Sequence, residues 1–187
     1  MKNNESIKKE RSASNEAANI VEANKGAASS LRQLFVETIK DIFWVENALV
    51  KTLPKMAENA LSPNLKSSIL DHQAVTENQV TRLKKVFELL DETAEGKKCE
   101  AMVGLLKEGD SMLEETVFGP VRDAGIIAAS QKIEHYEIAT YGTLFAFAKI
   151  LGENGVAKLL QQTLAEEMEA DKILTDVANV SVNMDAL

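Results

Sequence analysis

Residues 30–56 read SLRQLFVETIKDIFWVENALVKTLPKM, and this stretch decides the fold class. Apolar or small side chains recur in it at steps of three and four, which is the spacing of one buried face of an α-helix. Ser30 with Gln33 makes a capping box at its start, and Pro54 kinks the helix without ending it. The stretch therefore predicts one long amphipathic helix. Its buried stripe consists of Leu31, Phe35, Thr38, Ile42, Val45 and Leu49.

Three further stripes of the same period follow, over residues 65–90, 127–148 and 160–178. Residues 97–119 are less regular and allow a short helix between the second and third stripes. The chain thus reads as two antiparallel helical hairpins joined by a long crossover connection that contains a short helix. This is the plan of a ferritin-like four-helix bundle, an all-α fold.

The boundaries of these helices are marked by turn and cap residues. A Ser-Pro pair at residues 62–63 predicts the start of the second helix, which runs to about Thr93. A Gly-Pro pair at residues 119–120 starts the third. Gly152 closes that helix, and Asn154 is placed to cap the last one.

Outside the stripes, the termini predict tails. Residues 1–29 are polar and mixed in charge, with too little apolar surface to offset the entropy of ordering, so we expect a mobile N-terminal tail. The bundle then covers residues 30–180, and residues 181–187 form a C-terminal tail.

The composition fits this fold and disfavours several classes of protein. Of 187 residues, 45% are hydrophobic but only 5% are aromatic, which suits helix-on-helix packing. A formal net charge of −8 disfavours nucleic-acid partners, because such binding neutralises phosphates with Lys and Arg. A single cysteine forms no internal disulfide, and no apolar run is long enough to span a membrane. The sequence predicts a cytoplasmic protein with no membrane partner.

Polar residues interrupt each long stripe at mid-length, where Leu or Ile is expected. Asp and Glu are almost never fully buried unless they are paired or bound to something. Several helices that point such groups at one level of a bundle create an anionic pocket, and a divalent cation removes the cost of burying it. Hard oxygen ligands favour iron(II), manganese(II) or magnesium over zinc or copper. The candidate ligands are Glu46, His72, Glu134, Glu137, Glu167 and Asp171.

Taken singly, each of these residues has an ordinary structural interpretation. Apolar stripes are wide and their edges are solvated, so one Glu on a stripe can be a surface or hydrogen-bonded side chain. A lone histidine such as His72 on a buried face is about as often a core residue as a ligand. Their coincidence on separate helices is what favours a metal site.

Five stretches carry a distinctive set of residues: LFVETIKDIFWVENALVKTLPKM, TENQVTRLKKVFELL, KCEAMVG, QKIEHYEIATYGTL and LQQTLAEEMEAD. Together they resemble the YciF/YciE family of bacterial stress-associated, ferritin-like proteins, from about residue 31 to residue 178. The resemblance implies a bundle that forms a homodimer, a dinuclear metal centre and a link to stress responses, without an established enzymatic activity.

The same resemblance assigns site positions, with departures. Val75 stands where the family typically has glutamate, and no Glu-x-x-His occurs in the sequence, although di-iron sites of this fold use two such pairs. The number of metal ions therefore stays open between two, one and none. The residues that match acidic positions of the family are Glu46, Glu134, Glu137, Glu167 and, for many members, Asp171.

Two functions follow as hypotheses. The leading one is a ferritin-like stress protein that binds iron or manganese in a carboxylate-lined core and can be redox-active. The alternative is a non-catalytic dimeric scaffold with a degenerate site. A DNA-protecting store is disfavoured because the charge balance provides no basic arm. Whether the protein is an enzyme, and which small molecule it would use, the sequence leaves open.

Overall fold

Helices build the protein in the computed structural model, which describes residues 20–187. No strand occurs in that part of the chain, which confirms the predicted all-α class. The long helices are α1 (Leu31–Asn59), α2 (Pro63–Leu90), α3 (Glu100–Glu115), α4 (Pro120–Leu151) and α5 (Asn154–Val177), followed by a π-helical turn (Ala178–Val182) and the short α6 (Asn183–Asp185).

Most helix ends lie where the cap residues predict them. The Ser30 hydroxyl accepts a hydrogen bond from the backbone N–H of Gln33, and the Ser62 hydroxyl accepts one from the N–H of Leu65. Each bond satisfies a backbone donor that the first helical turn leaves without a partner. Gly152 ends α4 in the left-handed conformation, with φ 78°, which a residue without a Cβ adopts freely.

Two predicted boundaries need correction. The second helix ends at Leu90, because Asp91 reverses the chain in the left-handed conformation (φ 56°), before the predicted end at Thr93. Aspartate is among the few residues other than glycine that visit this conformation routinely. Asn154 is the first residue of α5, and Glu153 occupies the cap position without a capping side-chain bond.

The termini also differ from the expectation. Residues 181–187 are not simply a tail, because helical structure continues through Asp185 and Val182 is buried against the core. Of the predicted N-terminal tail, residues 1–19 lie outside the described residues. Residues 20–29 are exposed and contain a turn at Gly26.

The helices pack as the predicted pair of hairpins. The most extensive contacts are those of α1 with α2 and of α4 with α5; α1 also faces α4, and α2 faces α5. The crossover helix α3 packs mainly on α4. Within residues 20–187, none of the helices has the length and apolarity that crossing a membrane requires.

The core is apolar towards both ends of the bundle and polar at mid-length. Along α1, Phe35, Ile39 and Ile42 precede Glu46, and Leu49 follows it, all of them buried. The rings of Phe43 and Phe87 meet edge to face with centroids 5.4 Å apart, in one of the apolar parts. A functional site is therefore expected at the polar level, at mid-length of the bundle.

Candidate metal centre

The four long bundle helices α1, α2, α4 and α5 each send polar side chains into the middle of the core. Helical spacing brings them there, because residues three and four apart share one face of a helix. They sit at the level of the stripe where neighbouring turns carry Leu, Ile or Val. The polar side chains buried at this level are Glu46 from α1, Thr76 and Gln79 from α2, Glu134 and Glu137 from α4, and Thr163 and Glu167 from α5.

Four of the predicted ligands converge on one point. His72, Glu134, Glu137 and Glu167 each offer one ligand atom, and these atoms all lie within 4.8 Å of one another. The Nε2 atom of His72 is 3.4 Å from a Glu134 oxygen and 3.8 Å from a Glu167 oxygen. The three carboxylates are almost completely buried, and the His72 side chain is 13% exposed. The cluster formed by these four residues is called the carboxylate cluster below.

Glu46 lies beside the carboxylate cluster and not within it. One of its oxygens accepts a hydrogen bond from the hydroxyl of Tyr141, which is itself buried. The other oxygen, Oε2, has no hydrogen-bond partner among residues 20–187. Burial and the neighbouring charge of Glu167 raise the pKa of Glu46.

Asp171 is the predicted ligand that the structure places elsewhere. Its side chain is 24% exposed and lies 3.4 Å from the Nε2 atom of His135. It also accepts a hydrogen bond from the Gln131 amide at 3.0 Å. Asp171 is therefore held near the surface by neighbours on α4, one turn beyond Glu167 along α5.

The protein leaves many acceptor atoms of this region without donors. Buried polar groups are almost always hydrogen-bonded, so each exception calls for an explanation. Among the described residues, all six buried side-chain nitrogen or oxygen atoms without a partner belong to the carboxylate cluster, Glu46 or Gln79. Both oxygens of Glu137 are in this state. Five of the six are carboxylate oxygens, so the region lacks the donors or the positive charge that would compensate these acids.

The protonation states follow from burial. Burial and mutual repulsion raise the pKa of Glu134 and of Glu137 well above the usual value for a carboxyl group, and burial raises the pKa of Glu167 to about 7. Burial lowers the pKa of His72 to about 4, so its imidazole is neutral at physiological pH. Neutral imidazole is the form that binds metals.

A family model described as "Domain of unknown function (DUF892)" matches residues 30–187. The chain is also 39% identical, over 158 residues, to the protein YciF of Escherichia coli strain K12; this alignment covers 84% of the chain and 95% of YciF. The chain is a member of the YciF family. The resemblance drawn from the five sequence stretches is confirmed.

Solved structures agree with this YciF-family assignment. The crystal structure of the Escherichia coli stress protein YciF superposes with a TM-score of 0.80 at 38% identity, over 83% of this chain and 99% of that one. YcfI from Rhodopseudomonas palustris gives a TM-score of 0.79 at 36% identity, over 82% and 98%. A protein from Xanthomonas campestris, 23% identical, shares the fold with a TM-score of 0.68 over 83% and 95%.

In this YciF-family chain, the sequence did not predict a partly buried ion pair beside the cluster. Arg82 on α2 donates two hydrogen bonds to the Glu166 carboxylate, at 2.7 and 2.8 Å, and one to the Thr163 hydroxyl at 2.7 Å. Gln79 bridges this pair to the cluster, because its amide group donates to both Glu166 and Glu167. No local spacing in the sequence signals this pair, because Arg82 and Glu166 lie on different helices, 84 residues apart.

The position of Val75 is also defined in this member of the family. Its side chain is half-buried on α2, three residues after His72, and lines a cavity that reaches Glu134. It contributes no oxygen to the site. The carboxylate-free donors that α2 offers at this level are the His72 ring, the Thr76 hydroxyl and the Gln79 amide oxygen.

Proposed function

We propose that this protein is a ferritin-like metal-binding protein that holds iron or manganese in the carboxylate cluster. The single observation that carries the proposal is the group of six buried, unpartnered acceptor atoms at one level of the bundle. Burying an uncompensated charge costs several kcal/mol, and a divalent cation would offset that cost for several carboxylates at once.

Residues 20–187 supply no other cation to do this. Arg82 is the basic side chain that interacts with Glu46 and Glu167, yet its guanidinium is already bound by Glu166. His72 is neutral near pH 7 because burial depresses its pKa. A metal ion is therefore the species whose charge the donor set fits.

The donors indicate which ions fit. Three carboxylates and one neutral imidazole form a mainly hard donor set, which suits iron(II) and manganese(II). These four side chains are sufficient ligands for one ion. Glu46 Oε2 and Gln79 Oε1 are two further unpartnered oxygens among residues 20–187, and they would be candidate ligands for a second ion. We therefore propose at least one ion in each chain.

Iron would supply redox chemistry to the site. The residues of the chain would set its surroundings: Tyr141 orients Glu46, Gln79 orients Glu167, and apolar side chains lie above and below the site along the bundle. Because YciF of Escherichia coli is a stress protein, we extend a role in stress to this chain. A cytoplasmic location and a homodimer remain predictions from the sequence and the resemblance.

The proposal is tested by metal content. Purified, metal-free protein is reconstituted with iron(II) under anaerobic conditions, desalted, and assayed for iron per chain. We expect at least one retained ion in the wild type and in Glu88→Gln, a surface control on α2, and none in the double variant Glu134→Gln/Glu167→Gln. Equal iron content in the wild type and the double variant would overturn the assignment.

A second function, a non-catalytic scaffold, is favoured by one specific observation. The raised pKa values of Glu134 and Glu137 would let protons, and not a metal ion, neutralise the cluster. YcfI of Rhodopseudomonas palustris is provisionally described as a structural protein, in line with this alternative. In that case metal ions would leave the thermal stability unchanged, whereas a bound ion raises it.

A further inference from the structure

A cavity of about 260 Å³ adjoins the carboxylate cluster. It lies mainly between α2 and α5, and exposed side chains at its rim, such as Asp71 and Ile173, show that it reaches the surface. Its wall is predominantly apolar. The apolar lining consists of Leu53, Ile69, Val75, Ala170, Ile173 and Leu174.

The inner end of the cavity is polar and belongs to the cluster. His72 and Glu134 both line it, with the His72 Nε2 atom 3.4 Å from a Glu134 oxygen. Glu134 is 3% exposed, and its Oε2 atom has no hydrogen-bond partner in the described part of the chain. A molecule in the cavity therefore meets apolar surface along its length and unpartnered hydrogen-bonding groups at one end.

The charges around the cavity select against anions. Asp71, Glu166 and Glu169 line it in addition to Glu134, and no Lys or Arg lines it among residues 20–187. Glu166 is paired with Arg82 and Glu169 with Lys172, at 3.6 Å, whereas Asp71 lies exposed near the rim without a Lys or Arg partner among residues 20–187. In the metal-free protein, a carboxylate ligand would have to pass these groups and then leave water beside further acids, without a cation to compensate it.

The volume sets the size of the ligand. An apolar cavity of about 150 Å³ accepts benzene, so about 260 Å³ has room for about ten non-hydrogen atoms. Apolar pockets with a few convergent polar groups are the usual form of small-molecule sites.

We propose that this cavity binds a small neutral molecule with an apolar chain and a hydroxyl head, and that the head lies beside His72 and Glu134. The inference deepens the proposed function, since it assigns a class of substrate to the metal centre. The cavity itself does not depend on the metal, because its wall is formed by the folded helices.

The test compares octanol with octanoate, which share the chain length and differ in the charge of the head. Each is titrated calorimetrically into metal-free and manganese-loaded protein. In the metal-free protein, octanol should bind one per chain, and octanoate at least about tenfold more weakly. The manganese-loaded protein should also bind one octanol per chain. Equal affinity of the metal-free protein for the two compounds, or no binding of octanol, would overturn the inference.

A pair of variants on α5 locates the site. Ala170→Phe places a ring in the cavity and should weaken octanol binding at least about tenfold, whereas Ala165→Phe, on the exposed side of the same helix, should leave it unchanged. A thermal melt confirms that both variants fold. Unchanged octanol binding by folded Ala170→Phe would contradict the location.

Metal content, measured on the same samples, separates the two proposals. If the protein binds octanol but retains no metal after reconstitution with manganese(II), the metal site is overturned and the cavity is kept. Retained metal without octanol binding would overturn the cavity alone.

Discussion

Two regions of this bundle bury a carboxylate group, and they differ in the hydrogen-bond donors that surround it. Asp123 is 2% exposed, and its two oxygens accept hydrogen bonds from the backbone N–H groups of Leu61 and Ser62, each at 2.7 Å. Glu137 is 1% exposed, and neither of its oxygens has a partner. Backbone donors therefore compensate the Asp123 carboxylate, whereas residues 20–187 supply no hydrogen-bond donor to Glu137.

This difference separates a structural acid from a candidate ligand. A buried acid that closes a loop stabilises the fold through the donors around it, and charge-assisted hydrogen bonds of this kind are among the strongest. A buried acid among other acids destabilises the metal-free fold. Substitutions should therefore have opposite signs in the two regions, and the following experiments are ordered by the size of the expected effect.

The largest effect is expected at the satisfied acid. Asp123→Ala removes both acceptors and leaves two backbone donors at the α1–α2 turn without partners, which should lower the free energy of unfolding by about 2–5 kcal/mol. Urea denaturation of the metal-free protein measures it. The control Asp110→Ala, an exposed partner of Lys55, should change stability by at most about 0.5 kcal/mol. Similar losses in both variants would remove the contrast.

Metal binding should give the next largest effect. Manganese(II) at about one hundred times its dissociation constant should stabilise the wild type by about 2.7 kcal/mol, because it binds the folded state selectively. The variant Glu137→Gln should lose this gain, since it takes away a cluster carboxylate. Thermal melts with and without the ion measure both. A gain that persists in Glu137→Gln would show that the ion binds elsewhere.

The pH dependence of the metal-free protein should follow the raised carboxyl pKa values. Glu134, Glu137 and Glu167 hold protons in the folded state that they lose in the unfolded state, so their contribution is fully present below pH about 4.5 and disappears as the pH rises through the folded pKa, about 7 for Glu167. Burial lowers the pKa of His72, which acts in the opposite direction, but only between pH about 4 and 6.5.

The window from pH 6.5 to 8 therefore isolates the carboxyl groups. Metal-free stability should fall there by up to about 1.4 kcal/mol per pH unit for each group that still holds its proton. Denaturation curves at fixed ionic strength test this. A stability that rises with pH across the window would mean that the carboxylates are already ionised and compensated.

The smallest effect is expected from relieving the unsatisfied acid. Glu137→Gln should raise the stability of the metal-free protein by about 1 kcal/mol at pH 8, because glutamine needs neither a bound proton nor a buried charge at a position whose oxygens have no donor. Glu88→Gln, on the surface of α2, should stay within about 0.5 kcal/mol of the wild type. A loss of stability at Glu137 comparable to that at Asp123 would indicate that Glu137 is structurally satisfied.

Much of this architecture was predictable from the sequence. The stripes and the Ser-Pro and Gly-Pro boundaries fix helix lengths and faces, because helical period and caps are local properties. The same period places Glu46, Glu134 and Glu167 inward on three different helices. That these three side chains lie at one level could be anticipated, since mid-length positions of antiparallel neighbours meet at one level of a bundle.

The remaining features depend on how the helices are rotated against one another. One turn of α5 separates Glu167, which is buried in the cluster, from Asp171, which pairs with residues of α4 near the surface. The periodic pattern assigned both to the same stripe. The pairing of Arg82 with Glu166 and the loop contact of Asp123 likewise join distant positions, which sequence spacing does not specify.

The central claim is tested most directly by anomalous X-ray diffraction from crystals of the protein reconstituted with iron(II), recorded at the iron absorption edge. We expect an anomalous peak bounded by His72, Glu134, Glu137 and Glu167, and a second peak beside Glu46 if the centre is dinuclear. No peak in the core, or peaks only at surface acids, would contradict it.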